Sequence, residues 1–491
     1  MFTDLLGFYP QWYVPNFGSG YVVALIASTH VLFSHISVGA SFLLAYLMTK
    51  AYRGNHEEIY DYVKKYLFTL LLTSYIIGSL TGPGIWFSTT VSNPRGISAL
   101  IHNFVWAWAA EWVWFVTEVA LVYILYYIFD KVDKKTVMHL SWVFAIVSWG
   151  TLLIIVGILA FMMSPGSEKW FVTGNIMDAF FNPNYFPQVG VRTSFTVALA
   201  ALMGLAVATR IKETALRQDL VRTMSMAGIG GLIFAGMFMV WYLDTLPGRA
   251  KVTLDFAIPP AFKTVIFVSI AVLALIFALF YIWPKANRST AFLIVLMVAV
   301  LGLTIFPQER IREWLRKPYI AGDFLYVNQV VARDVPGKNI TNEIDTIDEK
   351  GFLKVHPFVP ESVKTITPEN MLEAGRAMAM ISCASCHSLD EGGPRPLVLK
   401  MEGITRPDLI YQFIERRLSG DPHKGASPYM PKITGTDEEI KALSYYLAHL
   451  NYEYLVAKQR GVPLTEVQKE QLEAPIPQPE LTQKEQPQAA R

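Results

Sequence analysis

The sequence predicts an all-α protein, a polytopic bundle of about eight membrane helices followed by a small helical domain outside the bilayer. Three observations predict it. Of 491 residues, 53% are hydrophobic and 17% charged, against roughly 25% charge in soluble domains. Eight apolar runs approach or exceed the length of about 18 residues needed to cross a bilayer. After the last run the composition turns polar and helix-start signals reappear. A net charge of +2 gives no bulk attraction for nucleic acid, and none is expected as a partner.

The runs lie near Tyr21–Met48, Tyr66–Thr89, Ile97–Phe129, Val137–Met163, Arg192–Ala208, Met224–Leu243, Ala261–Ile282 and Ala291–Phe306. The third exceeds one bilayer crossing, so it tilts or protrudes. Pro307 closes or kinks the eighth. Residues 1–20 carry Asp4, no Lys or Arg, and many aromatics. That is not a signal peptide; it suits a segment lying at the interface. Lys and Arg concentrate in alternate loops, from Lys50 and Arg53 through Lys131, Lys134, Arg210 and Arg222 to Lys285 and Arg288, while the other loops hold only Arg95, Lys169, Arg249 and Lys251. The richer set belongs on the cytoplasmic side, which puts the N-terminus and everything after Pro307 outside.

Residues 321–366 read as a polar connector and 367–457 as a compact helical domain. Thr367-Pro368-Glu369 is a helix start, and the helix continues over Met371–Ile381 into Cys383-Ala384-Ser385-Cys386-His387. These are the chain's only two cysteines. Two thiols three positions apart with an immediate histidine fit covalent attachment of a c-type haem, the thiols bonding the vinyl groups and His387 ligating the iron. A zinc site wants two further Cys or His ligands nearby. Met430, between Pro428 and Pro431, is the expected distal ligand, and His423 its rival. The module resembles a class I monohaem cytochrome c over Thr367–Ala457. Residues 458–491 read as a disordered Pro- and Gln-rich tail.

Ionisable residues inside membrane helices are functional candidates by default. His30 and His35 lie in the first span, His102, Glu111 and Glu118 in the third, and Glu309 and Glu313 at the end of the eighth. Neutral imidazole is a good iron ligand. His30 and His35 are about 140° apart on a helix and do not share a face. Glu111 and Glu118 do share one, which suits proton relay or a ligand plus a proton station. Trp106, Trp108, Trp112 and Trp114 surround Glu111, either walling a porphyrin or packing.

Three stretches resemble subunit I of the cytochrome bd quinol oxidase family. Thr29–Phe33 with Gly39 and Phe42–Ala45 places His30 on a high-spin haem ligand. Gly82–Lys131 places Glu118 and Asp130 on a proton-delivery region, with Glu111 one residue out of register. Glu313–Tyr319 places Glu313 on the ligand of a second high-spin haem and Arg316 on the arginine that follows it. The resemblance spans about Tyr21–Gly322. It implies two or more membrane haems of b or d type, a second membrane subunit, and a bacterial inner membrane with the haem c domain periplasmic. Departures are as informative. The family's low-spin haem ligands fall on Arg192 and about Val265, its quinol loop is reduced to Asp244–Pro260, its ninth span is missing, and His35 and His102 are extra. These departures imply a changed donor, with cytochrome c electrons entering at His387 and passing inward to oxygen. Two other readings remain, a quinol–cytochrome c oxidoreductase in which His35 and His102 build a replacement haem, and a non-catalytic relay subunit.

Overall fold

The computed structural model describes residues 6–54, 56–165, 168–389, 391–393, 395–401, 403–459 and 476. The expected tail after Arg460, except Ile476, lies outside the described residues. Among those described, eight helices are long and apolar enough to span a membrane: α1 (Ser19–Gly54), α2 (Glu57–Ser92), α3 (Pro94–Ile128), α4 (Lys134–Met163), α5 (Tyr185–Ala208), α6 (Thr214–Asp244), α7 (Pro260–Ile282) and α8 (Thr290–Arg316). Each overlaps one apolar run and overshoots it, because helical hydrogen bonding continues past the hydrocarbon-like stretch.

α1 and α5 are the buried axis of the bundle. The apolar windows of α1 and α5 are 72% and 78% buried, against 17% for α3, α6 and α7. Small residues let these two backbones meet: a Cβ on Gly39 of α1 would overlap the Thr196 carbonyl of α5. The outer helices present apolar side chains outward, including Phe267 at 75% and Trp106 at 78% exposure, as a lipid- or subunit-facing surface does.

Two spans contain a π-turn, Leu71–Tyr75 in α2 and Leu301–Ile305 in α8. The second explains why Pro307 does not close α8. The wider turn directly before the proline absorbs its missing N–H and ring bulk, and the helix runs on to Arg316. α3 breaks at Phe104, where φ is −130° and ψ 31°. Phe104 is fully buried against Phe161 and Phe180. The segment before it therefore protrudes into an outer apolar cluster with Trp170, Phe324 and Val335.

After α8 the chain forms a small antiparallel pair, β1 (Tyr319–Ala321) and β2 (Leu325–Tyr326). Then come α9 (Ile344–Lys350), α10 (Met371–Ser382), α11 (Pro407–Arg417) and α12 (Asp437–Gln459). The core of this outer module includes Ile347, Phe352 and Leu353 together with Met371, Met378, Ala442 and Leu447. Glu439 of α12 fixes the join by accepting the Phe352 and Leu353 N–H groups at 2.7 Å each. The module is locked to the bundle by a buried bidentate pair. Arg95 Nη2 and Nη1 donate to Glu343 at 2.6 and 2.8 Å, and Glu343 also accepts the Val331 N–H.

The N-terminal segment is wedged between the two. Trp12 N–H donates to the Val91 carbonyl at 2.8 Å, and Gln11 Nε2 donates to Ser385 Oγ at 3.0 Å. Tyr13 Oη accepts the Leu389 N–H at 2.9 Å. Eight spans return the chain to the side on which it started, and these contacts join its first described residues to the Cys383–His387 turn.

Candidate functional site

The Cys383–His387 turn continues directly from α10. The Cys383 N–H donates to the Ala379 carbonyl and the His387 N–H to the Cys383 carbonyl, each at 2.9 Å. One irregular turn thus gathers both thiols and the imidazole. His387 Nδ1 lies 2.9 Å from the Arg395 carbonyl. A carbonyl only accepts, so Nδ1 carries the proton and Nε2 keeps its lone pair. Burial lowers the His387 pKa to about 4, so the ring is neutral near pH 7. Burial pushes the Cys383 thiol up to about 12. A redox-active CxxC needs the opposite, a stabilised thiolate. Among the described residues no three His, Cys, Asp or Glu gather as a bare metal ion requires, and zinc finds no site. Both cysteines are unpaired. The donor set therefore fits covalent haem.

Met430 is half-buried in a loop held by the Ser427 N–H on the Arg417 carbonyl and the Ile433 N–H on the Leu418 carbonyl, at 2.8 Å each. Its neighbour Tyr429 donates to the Ala257 carbonyl of the membrane region. His423 is exposed.

His30 repeats the His387 arrangement with a side chain in place of the carbonyl. Its Nδ1 is 3.0 Å from Thr81 Oγ1 on α2. The Thr81 hydroxyl donates its proton to the Ile77 carbonyl at 2.9 Å, so toward His30 it accepts, and Nε2 is left bare. His102 does the same within α3, with Nδ1 2.8 Å from the Ser98 carbonyl. His35 is engaged differently. Arg192 Nη1 lies 3.3 Å from its Nε2. A guanidinium only donates, so this lone pair is taken.

Arg192 sits two turns inside α5, where the sequence alone showed only a missing ligand. It faces Glu309 at 4.0 Å, and Glu309 pairs with Arg312 at 2.7 Å. One turn on, Glu313 pairs with Arg310 at 2.6 Å and with the buried Lys317 at 3.0 Å. Arg316 is beside them, its Nε buried without a hydrogen-bond partner. The end of α8 is pinned by Arg249, whose Nη1 donates to the Leu315, Arg316 and Lys317 carbonyls at 3.0, 3.1 and 2.6 Å. Among the described residues, His30 and Glu313 share no hydrogen bond or ion pair.

Glu118 is the polar hub of α1–α4. Its Oε1 accepts Tyr75 and Ser148 hydroxyls at 2.7 Å and Ser37 at 3.0 Å. Glu111 lies two turns away on α3 and is half-buried. Asp130, toward the other end, pairs with Lys64. Trp106 and Trp112 face outward, at 78% and 49% exposure, and Trp114 packs its ring on Gly150 of α4. Trp106 and Trp112 thus face the surroundings, Trp114 packs on α4 and Trp108 packs on Trp86 of α2. Sequence reasoning missed Thr81, Lys317 and Arg395; the first two carry a weak signal, a hydroxyl and a cation adjoining apolar spans, and the third carries none.

Residues 19–250 match the sequence model for cytochrome bd terminal oxidase subunit I, and residues 372–451 match that for cytochrome c. The chain thus joins a region similar to cytochrome bd subunit I to one similar to cytochrome c. The first match covers His30, His35, His102, Glu111 and Glu118 and stops short of Glu313. The bd oxidase of Geobacillus thermodenitrificans is similar in fold, with a TM-score of 0.53 at 14% identity over 67% of this chain and 92% of that chain. Among curated proteins none matches. The two matches imply an integral membrane haem protein of the oxidoreductase, electron-transport class. The cytochrome c domain implies haem c, and the bd subunit I region implies haem of b or d type.

Proposed function

We propose that this is a bd-type terminal oxidase fed by cytochrome c electrons, which enter at the periplasmic haem c domain and pass inward to oxygen. When bound, the haems supply one-electron carriage and an open iron for oxygen reduction. Cys383 and Cys386 tether the covalent group, His387 offers Nε2, and Met430 offers a thioether. His30 offers Nε2 in the bundle and Glu313 offers a carboxylate at the outer end of α8. His102 is a further imidazole with its lone pair free. His35 works through Arg192 and Glu309 as part of a buried charge network. Glu118, fixed by three hydroxyls, and Glu111 hold protons on the way from the cytoplasmic side, and Arg316 steadies the outer end. A second membrane subunit covers the exposed apolar faces of the outer helices.

One observation carries this reading. The Cys383–His387 turn is linked to the end of α8 that presents Glu313 through Arg395, whose carbonyl faces His387 Nδ1 at 2.9 Å and whose guanidinium carbon stands 6.0 Å from the ring of Trp314, the residue after Glu313. The lone-pair geometry at His30 supports a ligand there. The buried Arg192 at the position of the family's low-spin ligand favours a donor other than quinol. A spectrum of the reduced, purified protein with and without carbon monoxide tests it. A shift in the membrane haem bands is expected of an open iron. Six-coordinate b bands that ignore carbon monoxide favour the relay or quinol–cytochrome c reading.

A further inference from the structure

Arg395 belongs to the haem c domain, yet its two ends serve different sites. Its backbone is left-handed, with φ +52°, an uncommon state for a residue with a Cβ. That state turns its carbonyl to His387 Nδ1, 2.9 Å away. The Leu397 N–H on the Ser388 carbonyl, at 3.0 Å, closes the same loop. The side chain leaves in the other direction, across the seam to the membrane region. Its guanidinium carbon stands 6.0 Å from the Trp314 ring centroid, and Arg310 stands 4.8 Å from that ring. Trp314 is the residue after Glu313.

The local charge does not balance. Glu313 is paired by Arg310 and Lys317, and Arg395 adds a third cation. Its guanidinium is partly desolvated; burial lowers its pKa, the Glu313 carboxylate opposes that, and Arg310 reinforces it. Arg395 Nη2 is buried with no hydrogen-bond partner among the described residues. A buried N–H of this kind calls for an acceptor, and the chemistry that matches a guanidinium is a carboxylate, the group a porphyrin carries at its edge.

We propose that Arg395 is the positioning residue that couples the two redox sites, its carbonyl orienting His387 for the covalent haem while its guanidinium brings positive charge and a free N–H to the Trp314–Glu313 end of α8. The inference rests on the reading that this end of α8 serves a membrane haem. Positive charge there raises the affinity of that site for an electron, whichever way electrons flow.

The test is Arg395→Gly in the full-length protein purified from membranes. Glycine takes the left-handed backbone freely, so the carbonyl stays while the charge goes. Covalent haem content and the haem c spectrum should match the unmodified protein. The midpoint potential of the membrane haem should fall, its affinity for an electron dropping about tenfold, the order expected for loss of one nearby charge at an effective dielectric near 20. Arg395→Lys should restore most of the shift. Unchanged potentials with both haems present overturn the proposal. Should Arg395→Gly lose a haem, Arg395→Asn, neutral and tolerant of the same backbone, decides. A lowered potential in Arg395→Asn supports coupling, and haem loss in both variants assigns Arg395 a folding role instead. An unmodified protein without membrane haem defeats the parent reading, a result distinct from any behaviour of the variants.

Discussion

His387 and His30 are held with the same nitrogen free, but by different means. In the outer module the acceptor for Nδ1 is a backbone carbonyl eight residues away, and no single substitution removes it. In the membrane bundle the acceptor is the Thr81 hydroxyl on a neighbouring helix, itself held in the accepting role by the Ile77 carbonyl. His35 is the third case, its lone pair given to Arg192. The outer site is thus built locally and the inner site by assembly of spans, so the inner one should be the easier to perturb from a distance.

The largest expected effect breaks the outer site itself. His387→Ala should abolish donor oxidation and normal ligation of the covalent haem while membrane haem, assayed by extracted haem content, stays. Turnover with ferrocytochrome c that survives in this variant contradicts entry at His387. Next comes the lock between the two regions. Glu343→Ala leaves Arg95 charged and buried without its partner, which costs about 3–5 kcal/mol; thermal melting in detergent should show the outer module unfolding early, and an unchanged profile contradicts the lock. Thr81→Val sharpens the comparison directly. Losing the orienting acceptor of a ligand histidine typically weakens binding by about 10–100-fold, so membrane haem should wash out more readily while haem c is untouched. Equal retention of both haems would mean that His30 is not a ligand.

The smallest effect is a pH dependence outside the membrane. Burial, with Arg95 and Lys364 nearby, lowers the His356 pKa from 6.5 to about 4. Above pH 6.5 the imidazole is neutral folded or unfolded and contributes nothing. Below it the unfolded chain binds a proton that the folded one refuses, so stability falls as pH drops from 6.5 toward 4. His356→Asn should flatten that slope in melts of the outer module.

What the sequence made legible follows the same division. Eight spans and the haem c turn were readable because hydropathy and the Cys383–His387 spacing are local properties. The Arg95–Glu343 lock was not, because its partners are 248 residues apart and the 321–366 stretch looks like a plain polar connector. The Arg192–His35 contact joins residues 157 apart. Arg192 itself was visible as an arginine where the family keeps a ligand, but nothing local said that it would occupy His35. Pro307 was visible as a helix breaker, while the π-turn that carries α8 through it depends on packing no periodicity reveals. Glu118 was picked out by charge, and its three hydroxyl donors come from three other helices.

Rapid mixing of the purified, oxidised protein with ferrocytochrome c in the absence of oxygen, followed by an oxygen pulse, tests the central claim most directly. Haem c should be reduced first and membrane haem second, and oxygen should reoxidise membrane haem before haem c. Membrane haem reduced ahead of haem c, or left reduced after the oxygen pulse, would contradict it.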